Sequence, residues 1–384
     1  MGFFCALSFV NSLNFPLLFA YMQKLLYLCA LFMGKRITYW DVARGLAVLL
    51  VIFYHVPLYI RICHPSAAEL LMPHINAGTY ILPFFMPVFF IISGFFANTE
   101  RPYWSFLWGD IKHLLLIGLA LTFINVSIQF LGSWDTSAIR WFVRTLFSKP
   151  LDVVFGNWFV SAIFFSRQIY YGADRLAELV VKKQNWQYWV ILFGVLVVIA
   201  LTGIVLEPNA PHNGQWFYCQ GLVFAVFVAF GKVLHTFTIG KKWFLGIGGI
   251  YIALMIVARA VGISTLEYGM INTSFTVTHW PFYMVLALSG SALLIGCAQL
   301  IDHFKPLEFI GRHSLTFYIP QGGVLLVTAT LLGKILSLES VLSVWLYIVA
   351  MWCICLCALS LLSVCQDGWN KCAEIFNSKV FVHR

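Results

Sequence analysis

Apolar residues in this chain come in long unbroken runs, not in the short alternations of a soluble core. A helix that crosses a bilayer needs about 20 mostly apolar residues. By that ruler the runs fall at 43–62, 78–97, 112–131, 153–171, 188–206, 215–235, 243–262, 280–301, 314–333 and 339–364. Turn and charge signals separate them, among them His64-Pro65, Glu100-Arg101-Pro102, Lys182-Lys183, Glu207-Pro208-Asn209, Lys241-Lys242 and Lys305-Pro306. No connection is long enough to hold a soluble domain of its own. The pattern predicts an all-α integral membrane protein with about ten transmembrane helices, preceded by an extra N-terminal hydrophobic segment.

Three stretches follow. Residues 1–34 form the hydrophobic segment, residues 35–366 the transmembrane domain, and residues 367–384 a short tail. Residues 3–22 carry no charge and read as an extra span, a signal-like segment or an interfacial helix. The basic stretch that opens a secretory signal is missing, as is a small-residue cleavage site. An uncleaved extra segment, or a natural start at Met33, fits better than a signal peptide.

Composition agrees with the pattern. Of 384 residues 61% are hydrophobic and 10% charged, against about 25% charged in soluble domains. The net charge of +9 would suit nucleic acid in a soluble protein. Here the basic residues sit in short connections, where they set orientation, so no nucleic-acid partner is expected. If Lys35 and Arg36 are cytoplasmic, alternation also puts Arg101, Lys112, Arg175, Lys182, Lys183, Lys241, Lys242, Lys305 and Arg312 inside. The outer side receives fewer, including Arg61, Arg140, Arg144, Lys149 and Lys334. The expected location is the inner (plasma) membrane, with the start of the first core helix and the C-terminus both cytoplasmic. The ten cysteines include no C-x-x-C pair and read as small buried hydrophobes, not as a metal site or disulfide framework.

Ionisable groups inside the hydrocarbon are costly and are functional candidates by default. Arg44 and His55 lie 11 residues apart, three helical turns, so they share a face about 16 Å apart along the axis. Asp41, one turn before Arg44, can pair with it. Taken singly, each has a plain structural reading: an interfacial ion pair, and a histidine tied to a neighbouring helix. The shared face favours chemistry, because a neutral imidazole there can act as a base.

The stretch from Tyr39-Trp40-Asp41 to His55 resembles the first-helix signature of the acyltransferase-3 family of membrane acyltransferases, an Arg, ten residues, then a His. Phe84-Phe85-Met86-Pro87 through Ser93-Gly94-Phe95-Phe96 is similar to that family's second-helix motif, in the variant of the fucose 4-O-acetylase-like and nodulation-type acetylase branch. Asn157-Trp158-Phe159-Val160 resembles its fourth-helix element, and Gly311-Arg312-His313-Ser314-Leu315-Thr316-Phe317-Tyr318 its late Gly-x-x-Ser-Leu-x-x-Tyr element. Two departures stand out. Pro320-Gln321 occupies the place where a His often follows the late Tyr, and Trp108-Gly109-Asp110-Ile111-Lys112 has one basic residue where pairs are common.

The resemblance implies O-acyl transfer, usually of acetyl, from cytoplasmic acyl-CoA to a hydroxyl of a cell-surface, secreted or lipid-linked carbohydrate. Acetyl-CoA would be a donor substrate, with no tightly bound cofactor and no metal. His55 would be general base or acyl relay; Arg44, positioned by Asp41, would hold a CoA phosphate, with Lys112 assisting. Ser93, Arg101, Trp158 and Gln321 are the candidate substrate contacts. For Ser93 and Gly94 close helix packing is an equal account, and Trp158 also suits an interfacial anchor. Arg140, Trp141 and Arg144 lie in the longest outer loop, where an interfacial amphipathic helix or contact with an anionic acceptor would each explain them. His212, Asn213, Asn272 and His279 are further outer-loop candidates. A transporter or flippase of a glycan or lipid-linked substrate is the alternative, but no internal repeat of the kind such proteins show is visible.

Overall fold

The computed structural model describes residues 37–78, 82–133, 135–183, 185–209, 216–237, 239–261, 279–336 and 338–382. The N-terminal hydrophobic segment, Lys35-Arg36, His212, Asn213 and Asn272 lie outside them. The chain divides into Met1–Thr38 and Tyr39–Arg384, and everything below concerns the second unit.

Among the described residues the structure is helical, with no strand. In chain order the helices are α1 (Thr38–Cys63), α2 (Ala68–Gly78), α3 (Leu82–Phe85), α4 (Pro87–Phe95), α5 (Tyr103–Asp110), α6 (Ile117–Ser133), α7 (Ser137–Ser148), α8 (Pro150–Val154) and α9 (Trp158–Val180). Then come α10 (Trp186–Leu206), α11 (Tyr218–Thr236), α12 (Lys241–Val261), α13 (Trp280–Ile301), α14 (Lys305–Arg312), α15 (Ser314–Tyr318), α16 (Gln321–Leu332) and α17 (Val341–Val382). A π-helical turn, Ile111–Leu116, joins α5 to α6.

Eight of the described helical stretches are long and apolar enough to cross a membrane. The two other apolar runs are helical too. The run at 78–97 holds a short apolar helix, Pro83–Phe95, because Pro87 restarts the chain after Met86. The run at 153–171 became α9, which carries Arg167, Asp174, Arg175 and Glu178 among its 23 residues.

Small residues decide which helices cross closely. A Cβ on Gly94 would fall inside the Val228 carbonyl, and one on Gly231 inside that of Ile91, so α4 and α11 touch backbone to backbone. Such crossings replace hydrophobic force, which lipid does not supply, with dense van der Waals contact. A second crossing joins the start of α1 to α14, where a Cβ on Gly311 would overlap the Asp41 carbonyl and one on Gly45 the Leu307 carbonyl.

The Ser-Leu-Thr-Phe-Tyr stretch breaks after Tyr318, and the chain restarts at Gln321 behind Pro320. A break inside a membrane must find partners for the backbone groups it frees. Asn125 on α6 supplies one, its Oδ1 accepting from the Gly323 N–H at 2.7 Å.

Candidate active site

α1 places the expected ion pair at its first turns. Arg44 donates to Asp41 Oδ1 at 3.2 Å, and Asp41 is buried. The guanidinium also lies over the Phe96 ring, 5.2 Å from its centre. The α14 crossing packs against the Asp41 backbone, so this turn of α1 is seated against a neighbour.

Three turns further along α1, the His55 Nδ1 lies 2.8 Å from the Val51 carbonyl. A carbonyl can only accept, so Nδ1 carries the proton and, in the neutral ring, Nε2 keeps its lone pair. That is the tautomer a general base needs. Tyr59, one turn on and on the same face, packs against α16, where a Cβ on Gly322 would come 2.6 Å from its hydroxyl. The face of α1 that carries His55 therefore turns toward α16.

A cavity of about 410 Å³ opens at the Arg44 end of the helices, within the usual range for small-molecule sites. Its walls bring together Arg44, Ser93, Arg101, Asp110, His113, Arg167 and Ser314, with Phe89, Phe106 and Phe159 as apolar lining. Three of the expected residues, Arg44, Ser93 and Arg101, meet here. Ser314 brings in the late motif. Asp41 stands behind Arg44 without lining the cavity, and His55 lies deeper along α1.

One residue on the wall of this cavity is one that the sequence reading passed over. Arg167 of α9 donates from Nε to both oxygens of Asp110, at 2.9 and 3.0 Å. Its NH1 group donates to the Ser93 carbonyl at 3.0 Å and to Ser93 Oγ at 2.9 Å. Gln168 adds a bond to Asp110 at 2.7 Å. One guanidinium thus ties α9 to the end of α4 and to α5. The signal was present in the sequence, an arginine inside an apolar run, but it gave no hint of the partners.

Lys112 is exposed, stands 5.4 Å from the centre of the Trp108 ring and is not among the cavity-lining residues. Trp158 opens α9 beside the cap that Asn157 Oδ1 makes with the Val160 N–H at 3.2 Å. Phe159, next to it, contacts the Tyr318 ring at 4.8 Å, which joins the fourth-helix and late motifs. Gln321 is buried, and its Oε1 accepts no hydrogen bond from any described residue. Trp158 and Gln321 both lie outside the cavity wall. His279 precedes α13 as its cap residue.

The arrangement offers two capabilities at different depths. At one end is a basic cavity with polar and aromatic walls, fit for a phosphate-bearing molecule. Further along α1 is a histidine held in its basic tautomer. A family model described as an acyltransferase domain, of the acyltransferase-3 family, matches residues 37–363. The chain belongs to that family, and its class is that of membrane acyltransferases. No curated protein and no solved structure matches the chain significantly.

Proposed function

We propose that this protein moves an acyl group, most simply acetyl, from acyl-CoA to a hydroxyl of a carbohydrate at the far side of the membrane, with His55 as the base. The observation that carries this reading is the Nδ1–H bond of His55 to Val51, which leaves Nε2 ready to accept a proton in a family that transfers acyl groups. Nε2 takes the proton of the acceptor hydroxyl as its oxygen attacks the thioester carbonyl. The carbon–sulfur bond then breaks, the new ester forms, and the imidazolium returns its proton to the departing thiolate.

Arg44 and Arg101 stand in the cavity as cations for the phosphates of the donor. The roughly 16 Å between Arg44 and His55 along α1 is a path that the extended thioester arm would have to cover. On the positive-inside bias, the Arg44 end is cytoplasmic, where acyl-CoA is found, and the protein sits in the plasma membrane. Branch membership with the fucose 4-O-acetylase-like and nodulation-type acetylases rests on the Phe-Met-Pro variant of the second-helix motif, and O-acetyl transfer is the reading that branch favours.

The test is transfer of labelled acetyl from acetyl-CoA to the glycans of reconstituted membranes. His55→Ala should lose about 10²–10⁴-fold in rate, the range of general-base assistance, while insertion and abundance stay the same. Arg44→Ala should raise the apparent KM for acetyl-CoA. Full activity in the His55 variant ends this mechanism.

A further inference from the structure

A second cavity, of about 540 Å³, lies among α7, α8 and the start of α11. It belongs to the opposite end of the helices from Arg44. α9 starts two residues past Gly156, which lines this cavity, and reaches Arg167 in the other cavity about 14 Å further along its axis. Nothing in the acyl-transfer chemistry above uses it.

Its chemistry is mixed in a specific way. Arg144 and Lys149 put two cations on its wall, and neither is in an ion pair described for this structure. Asp152 adds one carboxylate, held by the Trp216 indole N–H at 2.8 Å. Trp141 and Phe217 supply aromatic faces, and Trp141 is exposed.

Phe217 sits at φ 54 with ψ 33, in the left-handed region. For a bulky residue this is an outlier, which persists where surrounding structure demands it. Phe217 stands at this wall where α11 begins.

A membrane anchor would need the exposed tryptophan and the cations but not the carboxylate, which repels lipid phosphate. A neutral sugar would need the aromatic face and the carboxylate but not two unpaired cations. A pyranose that carries an anionic group uses all three. Its apolar ring face stacks on an indole, its hydroxyls donate to Asp152, and its anion meets Arg144 and Lys149 by charge-assisted bonds.

We infer that this cavity is the acceptor subsite and that it selects an anionic sugar, a pyranose bearing a carboxylate or a phosphate. The inference rests on the acyl-transfer reading for the word acceptor, but its test does not.

The test uses the full chain in nanodiscs of neutral lipid, without acyl-CoA. Binding of tetragalacturonate, its carboxyl-reduced neutral counterpart and glucose 1-phosphate is followed by tryptophan fluorescence and thermophoresis. Tetragalacturonate or glucose 1-phosphate should bind, the reduced oligosaccharide should not, and the anion that binds names the source of the charge. The double variant Arg144→Gln/Lys149→Gln should weaken binding by about a hundredfold or more, since each of the two lost charge-assisted bonds is worth about tenfold or more. Arg144→Lys/Lys149→Arg keeps both charges and should retain most of it, which separates charge loss from misfolding.

Equal binding by the charged and reduced oligosaccharides, or no change in the Gln variant, overturns the inference. Displacement of the sugar by phosphatidylglycerol vesicles with higher affinity also overturns it and assigns the cavity to lipid headgroups. Full transfer in the His55 variant with anionic sugar binding intact would end only the catalytic reading, so the two fail separately.

Discussion

Removing Arg167 should cost several kcal/mol of stability, and the cost should depend on pH in a calculable way. Arg167→Ala deletes both bonds to Asp110 and both to Ser93. Among the described residues Asp110 then keeps one hydrogen bond, from Gln168, and its side chain is 8% exposed. Breaking a buried pair from one side costs about 3–5 kcal/mol, because the remaining charge stays desolvated. The carboxylate has one escape, which is to take up a proton. From a reference pKa near 3.9 that costs about 1.4 kcal/mol per pH unit, or roughly 4 kcal/mol at pH 7 and about 1.5 at pH 5. The loss is therefore about 3–4 kcal/mol at pH 7 and shrinks by roughly 2 kcal/mol at pH 5. The double variant Arg167→Ala/Asp110→Ala removes the stranded charge and should recover most of the difference. Unfolding in mixed micelles, followed by helical circular dichroism at the two pH values, measures all of this. A double variant no more stable than Arg167→Ala, or a deficit that ignores pH, would refute the reasoning and shift the cost to lost packing over Phe106.

Gly94→Ala and Gly231→Ala should each destabilise by about 1–3 kcal/mol or more, the range for overpacking, and less than additively, since one crossing is broken. Gly172→Ala, with open space around it, should be stabilising by about 1 kcal/mol; the same unfolding assay reads all three. Gln321→Leu removes an acceptor that no described residue pairs, so stability should hold or rise. A drop in acyl transfer without a drop in stability would make Gln321 a substrate contact. Lys183, in the turn after α9, bonds Asp174 at 3.1 Å and Glu178 at 2.7 Å. Burial alone would pull its ammonium down, but those two carboxylates outweigh it and hold it above the ordinary lysine value. A raised cation stabilises fully below its unfolded pKa of about 10.4 and ceases to do so as pH climbs past the folded value. Wild type should therefore lose stability above about pH 10.4 faster than Lys183→Met does, and parallel curves would exclude the effect.

The helical, membrane-bound character of the chain was legible in the sequence because run length alone decides it. The Asp41–Arg44 pair was legible because neighbours on one helix turn need no tertiary knowledge. That Arg44, Ser93 and Arg101 line one cavity was not legible, because it depends on how the first helices cross. What also escaped was the work of Arg167, because its partners Asp110 and Ser93 are 57 and 74 residues away in the chain and only the crossings bring them close. Lys112 shows the converse. Its charge was visible, but the direction of its side chain depends on the π-helical turn Ile111–Leu116, where one extra residue per turn rotates everything that follows. Periodicity counted at 3.6 residues cannot anticipate that rotation. The count of spans was blurred for a similar reason, since Pro87 shortens one run and four charges interrupt another.

The crossing of α1 with α14 sets a schedule for biosynthesis. The first helix leaves the ribosome early, yet the backbone surface that seats its Asp41–Gly45 stretch belongs to Leu307 and Gly311, some 260 residues later. Until that portion is inserted, the start of α1 lacks its backbone partner and the cavity beside Arg44 lacks the wall that Ser314 provides. A nascent chain stalled before the late motif would be membrane-embedded but inert, and a split protein would regain its pocket only if the two fragments found each other within the bilayer.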